Sequence, residues 1–382
     1  MTPSLNYNFE DLGITIECAT FEAESGVNEH HVQFHITQCN GDLFAEQYQR
    51  ICAAEKRLPE LPEFNASRAV MRRYFLSDAT NQVRLMTEGD KTCSYSYIQQ
   101  PPLDGSKIAL WIYLIDEVEV TNHDGTTVVS HNGYQHLWRM GMHSSQGDSA
   151  TQTTYLLESY EADLAKHDAT LLDNCVRTWF FVRDVDTQYM GMVKARKENF
   201  VAQGLTEQTH YIASTGIQGL PADPRAIIQL GAYALTGIQA GQMSFLYAPT
   251  HLNPTYEYGV TFERGTVIEY GDRAHAFISG TASINNKGEV VHVGDIVAQT
   301  HRMMENVQVL LEEGGFTESD IVQMVVYVRD LCDYECVKRL ISNRYPSRPQ
   351  IITLAPVCRP EWLVEMECIA IKKQEKPAYR DF

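Results

Sequence analysis

The chain has 382 residues and a formal net charge of −18, with 49 acidic against 31 basic side chains. Its length suffices for two domains, or three small ones, with buried cores. A chain this acidic repels phosphate backbones, which argues against general nucleic-acid binding but allows a small anion in a locally basic pocket. No apolar run approaches the ~20 residues that span a membrane, and residues 1–10 lack the pattern of a secretory signal. Nine widely spaced cysteines without a CxxC motif are typical of free thiols in a reducing cytoplasm.

The first half of the chain has irregular patterning. Residues 1–100 are hard to assign, although apolar and polar residues alternate around His31 and His35, which predicts a strand rather than a metal-binding helix. The next predicted elements are strands at 110–120 and 134–142, a helix at 151–166, a strand at 175–182, a helix at 189–200, and strands at 211–217 and 241–247.

The second half has clearer boundaries. Residues 276–284 and 289–293 predict a hairpin around the turn at 285–288. Asp295 is a plausible N-cap of a helix that Gly314 and Gly315 end. The remaining predictions are strands at 321–328, 351–354 and 362–371 and a helix at 333–344. The resulting order is β-β-α-β-α-β-β, a sheet with helices on one face.

The two halves repeat one another. Five residues recur 147 positions later, and Val182-Arg183-Asp184 recurs 146 positions later as Val328-Arg329-Asp330. The five pairs are Gln152 and Gln299, Glu158 and Glu305, Leu164 and Leu311, Thr170 and Thr317, and Asp173 and Asp320. We interpret this self-similarity as an internal duplication.

A set of short motifs runs through residues 276–371. They are Phe277-Ile278-Ser279-Gly280, Gly294-Asp295, Gln299-Thr300, Asn306, Gly314-Gly315, Val328-Arg329-Asp330, Pro346-Ser347-Arg348 and Leu363-Val364-Glu365-Met366-Glu367. Together they resemble the Rid family, also called YjgF or L-PSP. The expected fold is α+β, with two tandem Rid-like (chorismate-mutase-like) domains, each a mixed sheet with helices packed on one face. Residues 1–255 would form an N-terminal extension plus a degenerate Rid-like domain, and residues 256–382 the C-terminal Rid-like domain that carries the site.

Further motifs extend the resemblance to roughly residues 105–371. They are Thr281-Ala282-Ser283-Ile284, Val357-Cys358-Arg359, Arg177-Thr178-Trp179, Tyr189, Arg196 and Phe200. These resemble the chorismatases, in which a degenerate Rid-like domain precedes a complete one. The resemblance implies cleavage of the enolpyruvyl ether of chorismate, releasing pyruvate and a cyclic carboxylic acid. One segment differs: the chorismatase pattern continues its Asn-Pro with Arg-Gln, whereas Asn253-Pro254 is followed here by residues 255–259, Thr-Tyr-Glu-Tyr-Gly, so the substrate can differ.

Glu365 is the strongest candidate for catalysis. It lies within an apolar predicted strand, and burial raises the pKa of a carboxyl group, which keeps its proton near neutral pH. Such an acid can protonate the methylene carbon of an enol ether, and the resemblance places a catalytic glutamate here. The alternative is a carboxylate paired with a neighbouring cation. Glu367 faces the same side of the strand; it either tunes Glu365 by like-charge repulsion or, as we favour, is an ordinary cross-strand partner.

The candidates for substrate binding begin with two arginines. A guanidinium binds a carboxylate through two hydrogen bonds, and the resemblance assigns this role to Arg348 in the Pro-x-Arg motif. Arg348 lies 17 residues before Glu365, a longer spacing than in the Rid pattern, so Arg359 is a second candidate; either can instead be a surface cation. The remaining candidates are Tyr345, as a pocket-lining or structural residue, and Ser279, Gly280 and Thr281, whose backbone N–H groups either contact an anion or serve tight packing.

Cysteine chemistry is a further possibility at Cys358. This residue is a candidate catalytic group seven residues before Glu365, with a plain buried thiol as the alternative. In the chorismatase resemblance a cysteine here is typical of the branch that releases 3-hydroxybenzoate. The four-residue spacing of Cys332 and Cys336 indicates one helix face rather than a zinc site. We predict no metal and no cofactor.

Three functions are compatible with these observations. The first is a chorismatase-like hydrolase, favoured because plain Rid proteins are single-domain trimers. The second is a Rid-type deaminase of enamines or imines. The third is a catalytically silent metabolite-binding protein, which the altered segment after Pro254 favours. The expected partner is a small anionic metabolite, with neither nucleic acid nor membrane, and the expected state is a cytoplasmic monomer or homotrimer.

Overall fold

The computed structural model describes residues 4–39, 41–87 and 92–382. Within them it forms three six-stranded sheets, one for each of three consecutive units. The N-terminal unit comprises β1 (Ser4–Phe9), β2 (Ile14–Phe21), β3 (Glu29–Ile36), α1 (Phe44–Arg57), β4 (Ser67–Leu76), α2 (Ala79–Gln82), β5 (Ser94–Gln99) and β6 (Ile108–Asp116). The middle unit comprises β7 (Glu119–His123), β8 (Thr126–His131), β9 (Tyr134–His143), α3 (Ser149–Ala165), α4 (Leu171–Asn174), β10 (Cys175–Val182), α5 (Val185–Ala202), β11 (Ala213–Gln218) and β12 (Ile228–Thr236). The C-terminal unit comprises β13 (Met243–Leu246), β14 (Gly265–Glu269), β15 (Arg273–Ala282), α6 (Ile296–Glu313), β16 (Ile321–Val328), α7 (Tyr334–Arg344), β17 (Gln350–Leu354) and β18 (Val364–Lys373).

All three sheets have the same strand order. Taken within each unit, the order is first, second, third, sixth, fourth and fifth strand, and the fourth and fifth strands pair in parallel. The predicted α+β fold with repeated Rid-like units is therefore confirmed. The residues expected to be an N-terminal extension form a third unit of the same topology.

The sequence does not predict this third unit, because its local signals are weak. Where the other units have the long helices α5 and α7 after their fourth strand, this unit has only the four-residue α2. The motif that ends β10 and β16 in Val-Arg-Asp is reduced to Leu76-Ser77-Asp78 after β4. The shared strand order shows the repeat here although the side-chain pattern does not.

Three predictions about strands were wrong in detail. Residues 110–120 and 241–247 were assigned to the middle unit. The first segment overlaps β6, the last strand of the N-terminal unit, and the second overlaps β13, the first strand of the C-terminal unit. The C-terminal sheet therefore begins before the predicted domain boundary at residue 256. The hairpin partner of β15 is β14, whereas 289–293 contributes only an isolated bridge between Ile284 and Val290. An apolar pattern identifies a strand but not its hydrogen-bonding partner, which is a long-range choice.

The units contact one another in a cyclic arrangement. Isolated β-bridges join Gln99 to Leu220, Ile217 to Val357, and Pro102 to Thr353, so each unit contacts both others. The three units share a buried core that includes all four tryptophans, Trp111, Trp138, Trp179 and Trp362. None of the helices within the described part of the chain has the length and hydrophobicity needed to cross a membrane.

Candidate active site

A cavity of about 140 Å³ lies between the middle and C-terminal units. The middle unit contributes α5 and β11, and the C-terminal unit contributes β15, β18 and the loop between β17 and β18. Of the candidates from sequence, Glu365, Cys358, Arg359 and Gly280 line this cavity. A space of this size fits a small molecule rather than a nucleic-acid strand.

Glu365 is held in its protonated form by its surroundings. It lies on β18 opposite Tyr327 of β16 and Ala282 of β15, and it is 5% exposed. Burial raises the pKa of its carboxyl group to about 8, with a further increase from the negative charge of Glu367, while Arg177 and Arg264 partly offset the increase. The carboxyl group therefore carries a proton at neutral pH and can donate it.

Glu367 is the centre of a buried network that joins the three units. Its carboxylate accepts hydrogen bonds from Arg73 of the N-terminal unit at 3.2 Å, and from Arg177 at 2.9 Å and Trp179 at 3.0 Å in the middle unit. Thr215 also donates to it. Glu367 is thus paired with cations of two other units rather than with a cross-strand partner in its own sheet, and its negative charge also raises the pKa of Glu365.

Three arginines make the cavity basic within an acidic chain. Arg196 comes from α5, Arg264 from the segment before β14, and Arg359 from the loop before β18. Arg264 is 4% exposed and donates to the backbone oxygen of Asn253 at 3.0 Å. Arg359 donates to the Gly288 oxygen at 3.2 Å and lies over a Trp362 ring, 4.7 Å from its centroid. The sequence does not single out Arg264, because it belongs to none of the motifs described above and most arginines lie at the protein surface.

Arg348 does not reach this cavity. Its guanidinium donates to the Ile321 backbone oxygen at 3.2 Å and to Ser4 of the N-terminal unit at 3.4 Å. It precedes β17, and β17 faces the N-terminal unit, whereas β11 of the middle unit completes the wall beside Glu365. The expectation that Arg348 joins Glu365 was therefore wrong.

Tyr345 also lies outside the cavity lining. It is 2% exposed at the end of α7, and burial, followed by the nearby Glu318, raises the pKa of its hydroxyl group. This position agrees with a structural role for Tyr345 rather than with a pocket-lining role.

The Ser279–Thr281 segment shapes the site rather than offering backbone N–H groups to an anion. The Gly280 N–H donates to the Thr215 hydroxyl at 2.9 Å. A Cβ at Gly280 would lie 2.3 Å from a carboxyl oxygen of Glu365, so any larger residue would have to displace this carboxyl group. Ser279 and Thr281 are fully buried and hydrogen bonded to backbone groups.

Cys358 lines the cavity as a protonated thiol. Burial, and then the neighbouring Glu365, raise the pKa of its thiol to about 12. Because the thiolate is the nucleophilic form, this environment disfavours the nucleophilic role considered from sequence. In the described part of the chain, no group of three or more His, Cys, Asp or Glu side chains is placed to hold a metal ion.

The segment that departs from the chorismatase pattern supports one wall of the cavity. It forms a short 3₁₀ helix at Thr255–Tyr258. The Thr255 hydroxyl donates to the Phe262 oxygen at 2.6 Å. This contact orients the loop from which Val260 and Phe262 line the cavity.

Comparisons with known proteins agree with this architecture. The sequence model of the family described as Endoribonuclease L-PSP matches residues 267–372. A RutC family protein of Pyrococcus abyssi is 36% identical over 100 residues, which are 25% of this chain and 78% of that protein. The 3-aminoacrylate deaminase RutC of Acinetobacter baylyi is 27% identical over 96 residues, 25% of this chain and 76% of that protein. A crystal structure of a chorismatase shares the fold with a TM-score of 0.63 at 18% identity, covering 79% of this chain and 92% of that one. The chain therefore belongs to the endoribonuclease L-PSP family, also called the Rid or RutC family.

Proposed function

We propose that this protein is a chorismatase-like hydrolase that cleaves the enolpyruvyl ether of chorismate or a closely related dicarboxylate. The observation that carries the proposal is a carboxylic acid, Glu365, whose pKa is raised to about 8 in a cavity lined by three arginines. Chorismate has two carboxylates, and cations offset the cost of removing them from water. The fold shared with a chorismatase over most of the chain supports the same assignment.

The reaction follows from the position of Glu365. Its proton moves to the methylene carbon of the enol ether, the π electrons form the new C–H bond, and an oxocarbenium ion results. Water adds to that ion, and the Glu365 carboxylate accepts a proton from the attacking water. The hemiketal then collapses: its hydroxyl group loses a proton and becomes the keto group of pyruvate, the bond between the former enol carbon and the ring-bound oxygen breaks, and that oxygen takes up a proton, which releases pyruvate and a cyclic dihydroxy acid. Loss of one further water from the ring would give 3-hydroxybenzoate, the product that the chorismatase resemblance associates with a cysteine at Cys358.

A Rid-type deaminase is the second candidate, favoured by the similarity to a 3-aminoacrylate deaminase. Its substrates would be small enamines or imines with one carboxylate, for which one guanidinium suffices. The cationic groups Arg196, Arg264 and Arg359 around one cavity favour a substrate with two carboxylates over a substrate with one. A silent binding protein would need no protonated carboxyl group beside the ligand.

The test is pyruvate release from chorismate by the wild type and by Glu365→Gln. The amide keeps the shape of the side chain but has no acidic proton, so kcat should fall at least ~10²-fold while KM changes little. The exposed Glu375→Gln is the matched control for the loss of one charge. Chromatography of the ring product distinguishes the dihydroxy acid from 3-hydroxybenzoate.

A parallel assay on the imine formed from an amino acid separates the alternatives. Imine hydrolysis without chorismate cleavage would assign the protein to the deaminases. Full chorismate turnover by Glu365→Gln would remove Glu365 from the mechanism. If the wild type shows neither activity, the catalytically silent binding protein is the function that remains.

A further inference from the structure

A second cleft lies between the C-terminal and N-terminal units, at a position that the threefold repeat relates to the Glu365 cavity. It measures about 370 Å³. Strand registers place Ser214 and Gly216 of β11 in the positions that Gln350 and Ile352 occupy on β17. Both pairs line their respective clefts. The two clefts are thus built from equivalent parts of the fold.

The second cleft lacks the catalytic acid. In the N-terminal sheet Ala109 pairs with Phe75, as Glu365 pairs with Tyr327 in the C-terminal sheet. Ala109 lines the cleft at this place and has no proton to donate. Binding without the proposed proton-transfer chemistry is therefore what this cleft can provide.

The wall from the N-terminal unit carries a histidine between two carboxylates. His35 Nε2 lies 3.6 Å from Glu17 and its Nδ1 lies 3.8 Å from Asp104. Although burial by itself lowers the pKa of His35, these two carboxylates raise it to about 10, so the ring is cationic. The Nε2 atom is buried, and its 3.6 Å distance from Glu17 is an ion-pair contact longer than an ordinary hydrogen bond.

The wall from the C-terminal unit supplies a cation and an acceptor. Lys338 of α7 lies in the cleft lining, with its ammonium group 5.3 Å from the centroid of the Tyr334 ring. The side-chain oxygen of Gln350 is buried without a hydrogen-bond donor in the part of the chain that the structure describes. The cleft thus combines two cations, two carboxylates and this buried oxygen, in contrast to the arginine-rich Glu365 cavity.

We propose that this second cleft binds a free amino acid with an apolar side chain, in its zwitterionic form. Its carboxylate would accept a hydrogen bond from His35 and contact Lys338, and its ammonium group would face Gln350 and Glu17. The apolar side chain would pack against Ile36 and other apolar lining residues, Pro102, Ile351 and Ile352. This assignment is independent of the reaction at Glu365.

Calorimetric titration of the full chain with L-leucine tests this proposal. N-acetyl-leucine lacks the ammonium group and leucinamide lacks the carboxylate, so both should bind at least about tenfold more weakly, since each loses one charged pairing. Lys338→Met should weaken L-leucine binding similarly, and Lys197→Met, an exposed lysine of α5, should leave it unchanged. Glu17→Gln removes the carboxylate that would face the ammonium group, so it should also weaken L-leucine binding.

Three results would contradict the proposal. L-leucine binding that survives both Lys338→Met and Glu17→Gln would place the ligand elsewhere. Equal binding of L-leucine and leucinamide would refute the role of the carboxylate. No heat or thermal shift with L-leucine, L-phenylalanine or L-valine up to about 10 mM, a concentration that would nearly saturate a site with a Kd of about 1 mM, would overturn the proposal.

Discussion

Replacing Glu367 by glutamine should lower the pKa of Glu365 and shift the pH dependence of catalysis. The two side chains lie two residues apart on β18, which corresponds to about 7 Å along a strand. Two like charges at that distance, with an effective dielectric constant of about 20, repel by roughly 2.4 kcal/mol. Removing one charge therefore lowers the pKa of the other by about 1.7 units, from about 8 to near 6.

In the proposed mechanism Glu365 is the acid and only its protonated form is active, so kcat/KM should fall as the pH rises through the pKa of Glu365. The variant should lose roughly tenfold at about pH 7.5 and match the wild type near pH 5.5. Arg73 and Arg177, which would then face a neutral amide, should lower the pKa of Glu365 further in the same direction.

The assay is pyruvate release from chorismate between about pH 5 and about pH 9, with Glu375→Gln as the control for charge. Because the variant breaks a buried ion pair, its thermal unfolding should be measured first; a loss of about 3–5 kcal/mol is expected. A folded variant whose descending pH limb stays within about half a unit of the wild type would refute the electrostatic coupling between Glu367 and Glu365.

Four further substitutions test the geometry of the cavity in the same assay. Gly280→Ala should reduce kcat at least about tenfold, because the added Cβ would lie 2.3 Å from the Glu365 carboxyl and overpacking costs roughly 1–3 kcal/mol; wild-type activity would show that the carboxyl group can move without loss. Arg359→Ala should raise KM about tenfold or more by leaving a substrate carboxylate unpaired, whereas Arg348→Ala should leave KM within about twofold, and the reverse ranking would contradict the observed placement. Cys358→Ser should keep kcat within about tenfold, since the thiol is protonated; a loss beyond ~10³-fold, typical of a missing nucleophile, would restore its nucleophilic role.

Local patterning determined much of the individual units. The bounds of β10 and β16 agree with the predicted strands at 175–182 and 321–328, and Asp295 caps α6 as expected. Glu365 was also identifiable, because a carboxylate within an apolar strand is unusual whatever the strand contacts. Such signals depend on neighbours within a few residues, which the sequence displays directly.

Only the tertiary structure decided how the units meet, and with it the composition of the site. It placed β11 rather than β17 beside Glu365, which excluded Arg348 from the cavity and brought in Arg264. It also joined Arg73 to Glu367 across 294 positions of sequence. Sheet edges choose their partners through long-range packing and burial, and no short pattern in the chain encodes that choice.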